Sequence, residues 1–599
     1  MCGIVAVVGD AADRDRVGRM ANAVQHRGPD DQGIWTGPGV ALGHRRLSII
    51  DLSSAGHQPM TSHDGRYTMV FNGEIYNYIE LAAEFPDIAW RGHSDSEVLL
   101  EGFARTGPAI VDKLVGMFAF AIWDQLTSRL FCARDRLGIK PLYLSRLRDA
   151  WLVGSEIGAL LAGGVRARPD EAVIYDFLAR DFYEHGDSTF FADIRKLPPA
   201  SWAWLEAGSD PEITTYWSLA SDAERLILPA SRNDRGELLL ELMQDSVQLA
   251  LRSDVRVGVA LSGGLDSAVL LGLIDRVQPN KIAAFSFEFA EEAYSERPWV
   301  EQMARHTGHP AAFRRITASE FARDASLVSL QQQEPHAGAP VVAYTACFEM
   351  IRNDGVIVVM DGSGIDEGLG GYARFAPARW ADLQGDALAQ ELAASKTSMA
   401  DARPRMISAA NPVGDIGKGQ DLTSSVRPEC VLLAASPLPT FERPFPDVLR
   451  NLMYRELRYT KLPRALRFRD RLSMAYGCEL RPPFLDHRLL AHMFALPGDD
   501  LIRDGGSKVL LREAAARLLP DSVRLASKRS VQTPQREWFR GELATWVRDQ
   551  IDTPSFWARG WVDRNKALDA LARFQAGEGD NSFFAWQWIA LEQWARAFL

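Results

Sequence analysis

At 599 residues the chain is longer than one hydrophobic core supports, so two to four domains are expected. Its 47% hydrophobic and 24% charged content is that of a globular protein and argues against long disorder. A net charge of −11 without a basic tract argues against nucleic-acid binding through phosphates, and no apolar run reaches the roughly 18 residues of a membrane span.

The opening MCGIVAVVG lacks a basic leader and runs into DAADRDR, so it reads as a buried first strand rather than a signal peptide. The five cysteines, Cys2, Cys132, Cys347, Cys430 and Cys478, lie far apart and form no CxxC pair. That is the pattern of a reduced, cytoplasmic protein without a disulfide framework or a zinc site. Cys2 stands directly after the initiator. Once Met1 is removed, a thiol and an α-amine of pKa about 7.7–8.0 share one residue, which makes a nucleophile with its own base.

Further motifs follow: HRGPD (His26–Asp30), RRLSIID (Arg45–Asp51), FNGEIYN (Phe71–Asn77), GHSDSE (Gly92–Glu97), GMFAFAIWD (Gly116–Asp124) and ARDRLGIKPLY (Ala133–Tyr143). Together with Cys2 they resemble the glutaminase domain of class II glutamine amidotransferases over about 215 residues. The resemblance implies an N-terminal-nucleophile αββα sandwich over residues 2–217. Release of ammonia from glutamine passes through an oxyanion, which needs preorganised donors. The Asn72 amide and the Gly73 N–H match the family's oxyanion positions. Arg46 matches the clamp for the substrate α-carboxylate, and Glu74 and Asp95 match the positions that take its α-ammonium. An ordinary Arg46–Asp95 ion pair is the plain structural alternative. His26 and Arg27 read as structural residues that hold the loop near Cys2.

Residues 168–217 are less periodic, and RKLPPASWAWLE (Arg195–Glu206) carries strand and turn signals. A polar stretch, Ser221–Arg235, reads as the link between halves, followed by a helix from Gly236 to Leu251 that is apolar on one face.

The stretch VRVGVALSGGLDSAV (Val255–Val269) is a β-type run, then a glycine loop, then a helix-period segment. This is the form of an oxyanion cradle, with backbone N–H groups and a helix N-terminus aimed at phosphate oxygens. It lacks the GK[ST] ending of a Walker loop; the plain alternative is a tight strand-to-helix turn. Apolar runs then alternate with helical patterns: Lys281–Phe289, Ser295–Gly308, Pro310–Ile316 and a helix near Val341–Asn353. A second glycine loop follows in GVIVVMDGSGIDEGLGGY (Gly355–Tyr372). The alternation predicts a doubly wound parallel sheet with its ligand at the carboxyl ends of the strands.

SGGLDS resembles the PP-loop of ATP pyrophosphatases, and residues 236–599 as a whole resemble the synthetase half of asparagine synthetases. DRLSMAYGCELRPPFLDHRLL (Asp470–Leu490) and GGSKVLLREAAARLLP (Gly505–Pro520) carry the same likeness. The resemblance implies that Leu261, Ser262, Gly263, Gly264, Asp266, Ser267, Gly362 and Ser363 bind ATP. Asp266 and Asp366 are the Mg2+ ligands it implies, in keeping with the one or two carboxylates that a phosphate-bound magnesium takes. For Asp366 a helix N-cap is the alternative. Lys508 would be the cation that offsets charge on the departing pyrophosphate. Glu479 and Arg481 read as a structural pair, and the aromatic tail FFAWQWIALEQWARAFL reads as core.

Two departures stand out. Typical family members read SGEGxDE where this chain reads DGSGIDE, so Ser363 replaces a glutamate near the acyl-adenylate, and a hydroxyl is no base at neutral pH. Asp361 lies two residues before it. The acceptor segment Gln332–Cys347 and residues 373–460 also fit the family poorly.

The expectation is therefore a glutamine-dependent amidotransferase that adenylates a carboxylate with ATP and amidates it. Aspartate is the default acceptor; a sugar uronic acid or a biosynthetic acid is the alternative that Ser363 favours. A glutaminase-bearing sensor with a degenerate synthetase half is the rival class, opposed by the intact SGGLDS, Asp366 and Lys508. A phosphoribosyl-transferring amidotransferase would not need SGGLDS, and a lactam-forming relative would not need Cys2. The expected partners are small molecules, with no nucleic acid or membrane; a homodimer is compatible with the family, though no residue pattern signals it.

Overall fold

The computed structural model describes residues 2–278, 280–410, 426–527 and 533–599. Met1, whose removal the nucleophile reading requires, lies outside the described residues.

The first strand, β1 (Cys2–Val8), is buried along its whole length because both of its faces meet a hydrophobic layer. Its alternation sends Ile4, Ala6 and Val8 one way and Val5 and Val7 the other. β1 belongs to a six-stranded antiparallel sheet with β2 (Asp31–Gly37), β3 (Val40–Arg46), β8 (Tyr143–Leu147), β9 (Ala150–Gly154) and β10 (Arg195–Lys196). A second six-stranded sheet holds β4 (Met60–Thr61), β5 (Tyr67–Ile75), β6 (Gly116–Asp124), β7 (Arg129–Arg134), β11 (Ser201–Leu205) and β12 (Glu212–Thr215).

Ile4, Ala6 and Leu42 of the first sheet meet Val70, Ala119 and Ala121 of the second, which makes the inner layer. On the outer faces, Val17 and Met20 of the helix Arg14–Ala23 pack on Val5 and Val7. Val98, Leu99 and Phe103 of the helix Asp95–Thr106 pack on Phe71 and Phe120. The result is the expected αββα sandwich.

The second half is built on a five-stranded, wholly parallel sheet in the order β15-β14-β13-β16-β17, with β13 (Val257–Ala260), β14 (Ala283–Phe289), β15 (Ala311–Ile316), β16 (Val358–Met360) and β17 (Glu479–Arg481). Val259, Ala284 and Met360 face the helices Arg232–Ala250 and Leu265–Val277, while Phe285, Val359 and Leu480 face the helix Ala339–Asn353. The sheet is thus covered on both sides, as a parallel sheet must be. The chain reverses its direction of winding between β13 and β16, which opens a crevice at their carboxyl ends.

Several boundaries differ from the sequence reading. The link Ser221–Arg235 is partly helical, because Ser218 caps the helix Leu219–Arg225. The next helix begins at Arg232 rather than Gly236, with the Ser231 hydroxyl accepting from the Asp234 N–H. Residues 373–460 contain the helices Phe375–Ala381, Gly385–Ala394, Met399–Ala410 and Val448–Arg455; positions 411–425 lie outside the described residues.

The aromatic tail is core, as expected. In the helix Phe583–Phe598, Trp586, Trp588 and Trp594 are buried, and Trp594 meets Phe190 and Phe191 of the first half edge-on at 5.5 and 5.3 Å. The two halves therefore share one hydrophobic cluster. Among the described residues no helix is long and apolar enough to cross a membrane.

Candidate active site

Two clusters of the sequence-named residues form, one in each half. In the first, β1 and β3 pair so that Cys2 lies opposite Arg46, and β5 of the other sheet brings Asn72, Gly73 and Glu74 beside them. The Cys2 backbone N–H donates to the Asn72 side-chain oxygen at 3.0 Å. That bond fixes the amide so that its Nδ2 points elsewhere, and this buried NH2 has no hydrogen-bond partner among the described residues. A buried donor without an acceptor is costly in a resting protein and is what a developing oxyanion needs. At Gly73 a side chain would strike the Met117 carbonyl on β6, so only glycine keeps this strand edge in place.

Arg46 is buried, and its guanidinium is aimed by the carbonyls of Ser53, at 2.9 Å, and Asp51. Gly56 lies directly beneath the guanidinium, where a side chain would overlap it. Asp95 opens its helix, with Ser94 as the cap, and its Oδ2 accepts from the Ile75 N–H at 2.9 Å. Arg46 makes no ion pair with Asp95 among the described residues; its hydrogen bonds run to backbone carbonyls. Burial pushes the Asp95 carboxyl up to about 6, against the hydrogen bond from Ile75. Burial likewise lifts the Cys2 thiol, opposed by a Leu47 backbone hydrogen bond and the Arg46 guanidinium.

Arg27 is fully buried and ties this cluster to the other half. Its Nε donates to the Cys2 carbonyl at 3.1 Å, and its Nη1 donates to Glu156 at 2.8 Å and to Asp470 at 2.9 Å. Asp470 lies in the helix Lys461–Ala475, where its neighbour Arg469 reaches the second cluster. A cavity of about 130 Å³ lies beside Asp470, lined by Ile139, Tyr143, Asp470 and Arg471 among others.

The second cluster sits at the carboxyl ends of β13 and β16. The loop Ser262–Gly264 is held by Ser267, whose hydroxyl accepts from the Ser262 N–H at 3.1 Å and donates to the Ser262 carbonyl at 3.0 Å. Gly264 caps the helix Leu265–Val277, so Asp266 falls in its first turn. The Gly263 N–H donates to the carboxylate of Glu296 at 3.2 Å. That donor already accommodates an anionic oxygen, and Glu296 is a site residue the sequence reading missed.

Asp366 lies in the short helix Ile365–Gly368, whose cap is Gly364 with φ +109°. Asp366 is therefore not the N-cap. Its Oδ1 lies 2.6 Å from the Lys508 Nζ, which also contacts the Asp266 carboxylate. Lys508 is buried and holds the left-handed backbone conformation, φ 55°, a strain of the kind that persists at functional positions. Burial pulls the ammonium pKa down, but the two aspartates outweigh it and keep it above its ordinary value. Gly371 completes the nest, since a side chain there would overlap both Asp366 and Lys508. Two carboxylates facing one cation offer hard oxygen ligands that suit Mg2+.

Ser363 is bound into a further group. Its hydroxyl donates to Asp361 and accepts from Arg469, which also holds Asp361 at 2.7 Å and the Tyr344 hydroxyl at 3.3 Å. Asp361 is thus engaged by an arginine rather than left as a base. Arg469 was not singled out from the sequence; the alternation of basic residues in RFRDR was its only signal.

The comparisons bear on both clusters. Residues 1–217 match the family profile described as a glutamine amidotransferase domain, and residues 238–596 match that of asparagine synthase. Asparagine synthetase [glutamine-hydrolyzing] 1 of Bacillus subtilis (strain 168) is 28% identical, covering 99% of this chain and 96% of its own length. Asparagine synthetase [glutamine-hydrolyzing] 3 of the same organism is 29% identical over 98% of this chain and 95% of its own. Amidase chry2 of Gibberella zeae is 28% identical over 93% and 90% respectively.

Proposed function

The chain belongs to the asparagine synthase family and is an ATP-dependent ligase with glutamine as its nitrogen donor, and from that premise we propose that it amidates aspartate to asparagine. We divide the labour so that residues 2–217 free the nitrogen and residues 236–599 activate the acid. The observation that carries this reading is the Asp266–Lys508–Asp366 cluster beside the SGGLDS loop, since a degenerate synthetase half would not keep a strained lysine between two aspartates.

In the first centre, Met1 is removed and the freed Cys2 α-amine takes the thiol proton. The Cys2 sulfur attacks the glutamine side-chain carbonyl, and the Asn72 NH2 and the Gly73 N–H hold the oxyanion. Arg46 takes the α-carboxylate; Glu74 and Asp95 take the α-ammonium. Collapse expels ammonia and leaves a thioester, which water converts to glutamate and the free thiol. In the second centre, the acceptor carboxylate attacks the ATP α-phosphorus and pyrophosphate departs. Leu261, Ser262, Gly263, Gly264, Ser267, Gly362 and Ser363 line the nucleotide, and Lys508 offsets the charge gathering on the leaving pyrophosphate. Asp266 and Asp366 would hold Mg2+, which neutralises phosphate charge when bound. Ammonia then displaces AMP from the acyl carbon. The route inside the protein follows the buried junction at Arg27 and Asp470, because ammonia released to water would be protonated. Five free, buried cysteines support a reducing, cytoplasmic setting.

A second acceptor is supported by one observation. The position of the family glutamate holds Ser363 locked to Asp361 and Arg469, so the carboxylate the family places there is replaced by a hydroxyl tied to an ion pair, which favours an acceptor other than aspartate. Pyrophosphate release measured against a panel of carboxylic acids tests both readings. With ATP, magnesium and ammonium present, aspartate is expected to stimulate release at least tenfold. Stimulation by a uronic acid alone would select the second reading, and no stimulation by any acid would defeat both.

A further inference from the structure

Arg481 belongs by sequence to the synthetase half, on β17, the edge strand of the parallel sheet, yet its guanidinium ends in the glutamine centre. The side chain is fully buried, and four groups fix it. Its Nη1 donates to the carbonyls of Ala250 at 2.8 Å and Arg252 at 2.6 Å, and its Nε donates to Glu479 at 2.5 Å. That leaves Nη2, which lies 3.0 Å from Oε2 of Glu74. The guanidinium also lies 5.6 Å from the centroid of the Tyr76 ring, two residues further along the glutaminase chain.

The charge count around Glu74 shows why this matters. Glu74 is buried with Asp95 and Glu479 near it, and its other oxygen, Oε1, has no hydrogen-bond partner among the described residues. Burial drives the Glu74 carboxyl well above its ordinary pKa, the two neighbouring carboxylates add to that, and Arg481 is the strongest opposing charge. A carboxyl that stays protonated cannot pair with an ammonium group. Arg481 therefore pairs with Oε2 of Glu74 and favours its ionised form, while Oε1 is left without a hydrogen-bond partner among the described residues.

We propose that Arg481 is a positioning residue for glutamine, so that the glutaminase centre is completed by the synthetase half. This rests on the reading that Glu74 receives the glutamine α-ammonium. The same strand reaches the second centre as well: the Arg481 carbonyl accepts from the Asp361 N–H at 2.9 Å.

The test uses the full chain and two activities, glutamine-dependent and ammonium-dependent amide formation. Arg481→Gln and Arg481→Met are expected to raise the KM for glutamine at least thirtyfold. The kcat with glutamine should fall less than fivefold, and the ammonium-dependent rate should stay within twofold. Arg481→Lys should recover part of the KM, because it restores a cation without the planar group whose separate nitrogens meet Glu479, the two carbonyls and Glu74. A soluble Gln or Met variant with an unchanged glutamine KM overturns the proposal, and so does an equal loss of both activities, which marks a merely structural role. Glu74→Gln separates the two layers. If it raises the glutamine KM while the Arg481 variants do not, the reading of Glu74 stands and the proposal falls; if it leaves the KM unchanged, the reading itself has failed.

Discussion

Cys2→Ala is expected to remove glutamine-dependent amide formation by about four orders of magnitude or more, the scale of losing a nucleophile outright. The ammonium-dependent rate should stay within about twofold. The change deletes one sulfur atom from a strand whose seven residues are all buried and paired with β3, four of them with β9 as well, so β1 has no reason to move. Asn72 keeps its bond to the Cys2 backbone N–H, which does not involve the sulfur. The second centre depends on β13, β16 and Lys508, none of which touches the thiol. Parallel assays with glutamine and with ammonium chloride measure both rates. Equal loss of the two would mean that one site serves both steps.

Lys508→Met is expected to lower ATP-dependent AMP formation by at least a thousandfold while glutamine hydrolysis persists. The substitution keeps an unbranched side chain of similar reach and deletes its charge. Asp266 and Asp366 then face each other with that cation gone, and removing one partner from a buried ionic group costs about 3–5 kcal/mol. The same charge is missing when pyrophosphate leaves, where a preorganised cation contributes most. Destabilisation by itself would depress both activities together. A selective loss of AMP formation, read by chromatography of the nucleotide products alongside glutamate release, therefore separates a chemical role from a structural one. A Lys508→Met protein that still forms AMP at more than a tenth of the normal rate would remove Lys508 from the reaction.

Features built from contiguous residues were legible in the sequence. The VGVA strand, the SGGLDS loop and the helix after it form one local unit, because apolar alternation, glycine freedom and helix periodicity each act over a few residues. The burial of β1 followed from an apolar run flanked by charge. The tail helix followed from aromatic spacing. Residues that act across the chain were not legible. Glu479 and Arg481 read as a structural pair, which they are; only the fold shows that the same guanidinium meets Glu74 from the far end of the chain. Glu296 is unremarkable in SERPWVEQ until the loop after β14 brings it to the Gly263 N–H. Arg469 sits beside a recognised motif, but its pairing with Asp361 needs β16 and the helix Lys461–Ala475 to be packed together. Helix starts shifted where a serine cap acted upstream of the apolar pattern, as Ser231 does.

The joined use of the two centres is tested most directly by following nitrogen. Glutamine labelled with 15N in its side-chain amide is supplied together with excess unlabelled ammonium at a pH where solution ammonia is scarce, and the amide product is read by mass spectrometry. Product carrying the label with little dilution is the predicted result, because the nitrogen would pass along the buried junction at Arg27 and Asp470 without entering solvent. Product whose label matches the bulk ammonium pool would contradict the account, since the two halves would then be separate enzymes on one chain.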